Sequence, residues 1–133
     1  IQVNDKFKIA ELAPREFAML HWFADYRKNH NAGIIAPRID ANSKKPKEED
    51  ASYLQDITAQ FVNYYDELKN ANADLVVDKK FFESVKSHLK KNLEAQLGLE
   101  LAAKIAIKQD KREQPFYLDV QPENIEIIDS FKN

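Results

Sequence analysis

Residues 99–108 read LELAAKIAIK, and two descriptions compete for them. Alanine and leucine favour helix, so the segment can prolong a helix that precedes it. Yet Ala103, Ile105 and Ile107 alternate with Lys104, Ala106 and Lys108, the period-two pattern of a half-buried strand. As a strand, the segment opens a three-stranded antiparallel meander with Phe116–Val120 and Ile125–Ile128. Polar stretches at 110–114 and 121–124 would supply the turns. As a helix through Lys108, it leaves a single C-terminal hairpin. The meander accounts for the spacing better.

Upstream, Gly98 is the natural stop of a helix that Asp78 can cap. Between them Phe82, Val85, Leu89, Leu93 and Leu97 form one apolar stripe, flanked by Phe81. A second helix is expected from Ser52, where Ser52 and Gln55 match a capping box. Its buried face is Leu54, Ile57, Phe61, Tyr64, Tyr65 and Leu68, and Asn70–Asp74 ends it. The first helix runs from Pro14, placed in the first turn where its missing N–H costs nothing, to His30, with Gly33 as terminator. Met19, Leu20, Trp22, Phe23, Ala24 and Tyr26 spread with Phe17 over more than half its circumference. That distribution marks a central helix with Trp22 and Phe23 in the core. Phe7 and Ile9 alternate with Lys6 and Lys8 as a short N-terminal strand. The expected fold is α+β: a single domain over 1–133, with three α-helices packed on a small antiparallel β-sheet. One long aperiodic stretch interrupts it, residues 34–50. Its first half should pack through Ile34, Ile35 and Ile39, and its second half should be mobile.

Composition narrows the function classes. The chain has 133 residues, 44% of them apolar, which suffices for a core without disulfide or metal. Eight Phe, five Tyr and one Trp argue against intrinsic disorder. A net charge of −2 excludes a generally basic polymer binder. The absence of cysteine excludes thiol catalysis and thiolate metal sites. Its longest apolar-rich run, residues 17–24, is far short of the ~20 residues that cross a bilayer, so no membrane span is expected. No leader-like segment is present, which makes the cytoplasm the default expectation, although a cleaved leader would leave no trace.

Chemistry-bearing patterns are few. Gly33 and Gly98 are the only glycines, so no phosphate-cradling loop can be built, and no serine sits in a nucleophile elbow. His21 and Asp25 share a helix face, but no second histidine completes a metal set, and the bland reading is a solvated polar face. His30 suits a helix C-terminus and His88 a helix flank. These observations imply no cofactor, no metal and no catalytic residue. Charge, by contrast, is segregated. Residues 51–78 carry one basic side chain against five acidic ones, 79–112 nine against four, and 113–133 one against five.

The first expectation is therefore a non-catalytic accessory or interaction domain, binding a protein partner or a second copy of itself. Ile34, Ile35, Arg38 and Ile39 of the loop, with Ile125 and Ile127 of a sheet edge, are the candidate contacts. The alternative is a nucleic-acid-associated protein using Lys79, Lys80, Lys86, Lys90, Lys91, Lys104, Lys108, Lys111 and Arg112. Against it, Glu83 and Glu94 interrupt the stripe, and lysine outnumbers arginine, the residue suited to bidentate phosphate contacts. A small enzyme with a carboxylate or His21–Asp25 site assembled in space is the weaker third reading.

Overall fold

A computed structural model describes residues 2–3, 7–8, 12–65 and 75–126, with side chains over 12–65 and 75–123. Helix α1 (Pro14–His30) is central: Ala18, Met19, Leu20, Trp22, Phe23 and Ala24 are all buried. So nearly continuous a run needs neighbours on two sides, and α1 packs on α2, α3 and the C-terminal hairpin. Asn31, not Gly33, ends it. Asn31 adopts the left-handed conformation (φ 48°, ψ 46°), and the Asn31 and Ala32 amides donate back to the Arg27 and Tyr26 carbonyls. Gly33 has a different task. A Cβ there would lie 2.1 Å from the Phe116 carbonyl oxygen, so only glycine lets the chain pass so close.

Helix α2 (Glu48–Tyr65) begins four residues before Ser52, so the Ser52–Gln55 capping box does not form its start. The run Glu48-Glu49-Asp50, placed in the loop by its polarity, is instead the acidic first turn, where the helix dipole favours negative charge. Ile57 and Phe61 are fully buried, while Leu54, Tyr64 and Tyr65 are half-buried. Leu68 and the expected helix end at 70–74 lie outside the described residues. Helix α3 (Lys79–Ala103) is capped by Asp78, whose Oδ1 accepts from the Phe81 amide at 2.9 Å. It buries Phe82, Val85, Leu89 and Leu93. The rings of Trp22, Phe61 and Phe82 meet at the centre, Trp22 edge-on to Phe61 at 5.7 Å and to Phe82 at 6.4 Å.

At Gly98 (φ 84°, ψ 163°) the helix breaks, in backbone space open to glycine almost alone. The segment 99–108 then divides between its two readings: Leu99–Ala103 is one more helical turn, and a strand begins at Ile107. Strands β3 (Ile107–Gln109) and β4 (Phe116–Leu118) form the hairpin, with Ile107 opposite Leu118 and Gln109 opposite Phe116. The third run does not complete a meander. Its strand, Ile125–Glu126, pairs with the N-terminal strand β1 (Gln2–Val3), which pairs in turn with β2 (Phe7–Lys8); the C-terminal member is β5, and the order is β2-β1-β5. The reason lies at Phe116. The side of β4 that a third strand needs is taken by Ile34, whose N–H and C=O exchange bonds of 2.7 and 2.8 Å with Phe116.

Candidate functional site

The break at Gly98 lays residues 99–108 alongside the preceding turns of α3, and between the two runs a half-open groove of about 800 Å³. Buried Leu89, Leu93 and Ala102 form its apolar floor, and Leu99, Ala106 and Ile107 form a wall. Leu99 is 74% exposed, the most exposed large apolar side chain described, and Leu101 next to it is 37% exposed. Lys86, Lys90 and Lys108 stand on the rim with Glu83 and Glu94.

Those lysines are not equivalent. Lys86 lies with its Nζ 4.0 Å from the centre of the Phe116 ring, a cation–π contact. Burial lowers its pKa from the ordinary lysine value, against the opposing pull of Glu83 and with help from Lys90. Lys108 pairs with Asp119 at 2.7 Å, and that hydrogen bond raises its pKa. Lys90 is exposed on the α3 side of the rim.

The structure brings together only part of the lysine stripe. Lys86, Lys90 and Lys108 surround the groove, with Lys91 and Lys104 exposed. Lys79 and Lys80 are exposed at the N-terminal end of α3, about 27 Å from Leu97 along the unbroken part of the helix. Lys111 and Arg112 are exposed at the tip of the β3–β4 hairpin. Phe82 is fully buried and Phe81 half-buried beneath Arg15, so neither offers a stacking platform.

The loop candidates are also divided. Ile34 is 3% exposed and its backbone is committed to Phe116. Ile35 is 41% exposed, but its carbonyl accepts from the Tyr53 hydroxyl. Arg38 is exposed, and Ile39 is half-buried with its carbonyl holding the Lys79 amide at 2.9 Å. Beyond it, Asp40 and Asp78 brace each other's backbone. Asp40 Oδ1 accepts from the Lys80 amide and Asp78 Oδ2 from the Ala41 amide, each at 2.9 Å. The Ile125 backbone belongs to β5; Ile127 lies outside the described residues.

Around His21 and Asp25 the arrangement is a packed polar seam between α1 and α2. Tyr64 donates its hydroxyl to Asp25 Oδ2, Asn29 donates to Asp25 Oδ1, and the His21 ring sits edge-on to Tyr64 at 5.0 Å. Burial, then the bond to Asp25, raises the Tyr64 pKa well above the ordinary phenol value. His30 packs edge-on against Tyr26 at 5.4 Å, and His88 Nδ1 lies 2.8 Å from the Ser84 carbonyl. Among the described residues no group of three or more His, Asp or Glu could hold a metal ion, and no helix is long and apolar enough to cross a membrane.

Ile107 escapes notice as a surface-forming residue because the alternation puts it on the inward face of a strand, and Leu99 and Ala106 because neither belongs to that apolar face. The available signal was Gly98 followed at once by Leu99 and Leu101, apolar side chains placed just after a helix stop. No family model, curated protein or solved structure matches the chain.

Proposed function

We propose that this domain is a non-catalytic protein-interaction module and that its partner docks in the groove between α3 and residues 99–108. The observation that carries the reading is an apolar floor opening to solvent beside Leu99, within a rim of charged side chains. Exposed apolar surface framed by polar residues is the usual make-up of a protein-docking site. Leu99 is also a safe place to test it, since a residue 74% exposed contributes little to the core. A random-peptide display selection against the wild-type chain, counter-selected with Leu99→Glu, is the experiment. The expected result is a set of peptides that bind wild type at least tenfold more tightly than Leu99→Glu. Peptides indifferent to Leu99, or none at all, would retire the groove as the docking surface.

A second reading, nucleic-acid association, draws support from the exposure of Lys90, Lys91, Lys104, Lys111 and Arg112. It requires oligonucleotide binding that collapses between about 50 and 200 mM salt. It also requires that Lys90→Glu with Lys91→Glu abolish that binding. Lys86 is the wrong residue for this test, because its ammonium already packs on Phe116.

A further inference from the structure

Resting on the docking reading above, we infer that the partner binds as an added β-strand: an extended segment, alternating apolar and acidic, that pairs with the free edge of β3. Phe116 fixes which backbone groups of β3 face β4. Its N–H and C=O both bond to Ile34, so neither is directed at Gln109 across the hairpin. In an antiparallel pair, residues that exchange both bonds with the opposite strand alternate with residues whose backbone groups face away. Lys108 opposite Tyr117 is therefore of the first kind, as is Ala106, whose carbonyl accepts from the Asp119 amide at 3.0 Å. Ile107 and Gln109 are of the second kind. Each presents one N–H and one C=O to the side away from β4. Among the described residues no strand pairs with that side.

An open edge next to an apolar groove is what strand addition requires: main-chain bonds supply affinity, and alternate side chains of the guest find pockets. Ile107 joins the two features, because it belongs to the edge and also to the groove wall with Leu99. Charge selects the guest. Lys86, Lys90 and Lys108 outnumber Glu83 and Glu94 on the rim, and Lys104, between the groove residues Ala103 and Ala106, is exposed beside them. An acidic segment is steered to this face and a basic one is repelled.

The test uses the full ¹⁵N-labelled chain and an acetylated eight-residue peptide of alternating valine and glutamate, with amide hydrogen exchange as the readout. Exchange at Ile107 and Gln109 should slow at least tenfold on addition of peptide, while Lys108 changes little. Methylating the backbone nitrogens along one edge of the peptide should abolish the effect, and along the other edge should not. Gln109→Pro removes an N–H that faces away from β4. It should lose the peptide while keeping the buried emission of Trp22, which reports an intact core. Slowing by a valine–lysine peptide of equal size would overturn the acidic assignment, and no slowing by either peptide would overturn strand addition. Protection of both amides without peptide, growing with protein concentration, would make a second copy the occupant and overturn the proposal. Peptides that depend on Leu99 yet leave both amides unprotected would sink this inference alone, whereas failure of the display selection would remove the docking reading beneath it.

Discussion

Gly98 and Tyr53 are single positions whose physics can be checked without knowing any partner. At φ 84° and ψ 163°, Gly98 occupies backbone space where a Cβ is strained even though nothing lies within 4 Å of it. Gly98→Ala should cost about 1–3 kcal/mol in denaturant unfolding and loosen the groove, because the break that lays Leu99–Ala103 beside α3 would be resisted. Tyr53 donates to the Ile35 carbonyl, and burial, with smaller contributions from Tyr26 and Asp56, pushes its phenol up to about 12. An acid whose pKa is raised on folding contributes stability that is complete below its unfolded value, near 10, and lost as pH climbs through the folded one. Thermal melts should therefore fall in midpoint between about pH 10 and 12. Tyr53→Phe should flatten that fall in part, leaving the share due to Tyr64, which shifts in the same direction. A slope unchanged by Tyr53→Phe would mean that its proton is not coupled to folding.

Helix boundaries show what local sequence encodes and what it leaves open. Pro14, Asp78 and Gly98 each act through their own backbone or side chain within a few residues, and each was legible from the chain alone. Ser52 was misleading for the opposite reason. A capping box is only a spacing, and the acidic turn at Glu48–Asp50 starts the helix earlier. Two substitutions separate these cases in urea titrations. Asp78→Ala removes the acceptor for both the Phe81 and Ala41 amides and should cost about 1–2 kcal/mol. Ser52→Ala, at an exposed position inside α2, should stay within about 0.5 kcal/mol of wild type. The meander was the larger misreading. Strand character at Ile125 could be seen in sequence, but its partner depended on Ile34 already occupying the outer side of β4, a contact with no local signature. The groove was invisible in sequence for the same reason, since its floor and its wall come from runs that meet only after α3 breaks.

Taken whole, the molecule joins a helical core, built on Trp22, Phe61 and Phe82, to a small sheet made from the two ends of the described chain. Trp22, the sole tryptophan, is fully buried, so its emission reports the core and not the sheet. A chain beginning at Leu12 should retain blue-shifted emission and unfold at lower denaturant. Red-shifted emission from that chain would mean that the core depends on β1 and β2. Val3 pairs locally with Phe7 and, across nearly the whole described chain, with Ile125. Contacts so far apart in sequence pay loop-closure entropy before they return anything, and they form late. On the ribosome this imposes an order of events. Strands β1 and β2 emerge together as a local pair, while the other edge of β1 waits for Ile125, which is translated only after all three helices. Closure of the three-stranded sheet thus follows synthesis of β5, and a stall anywhere in α3 would leave one edge of β1 without its strand partner.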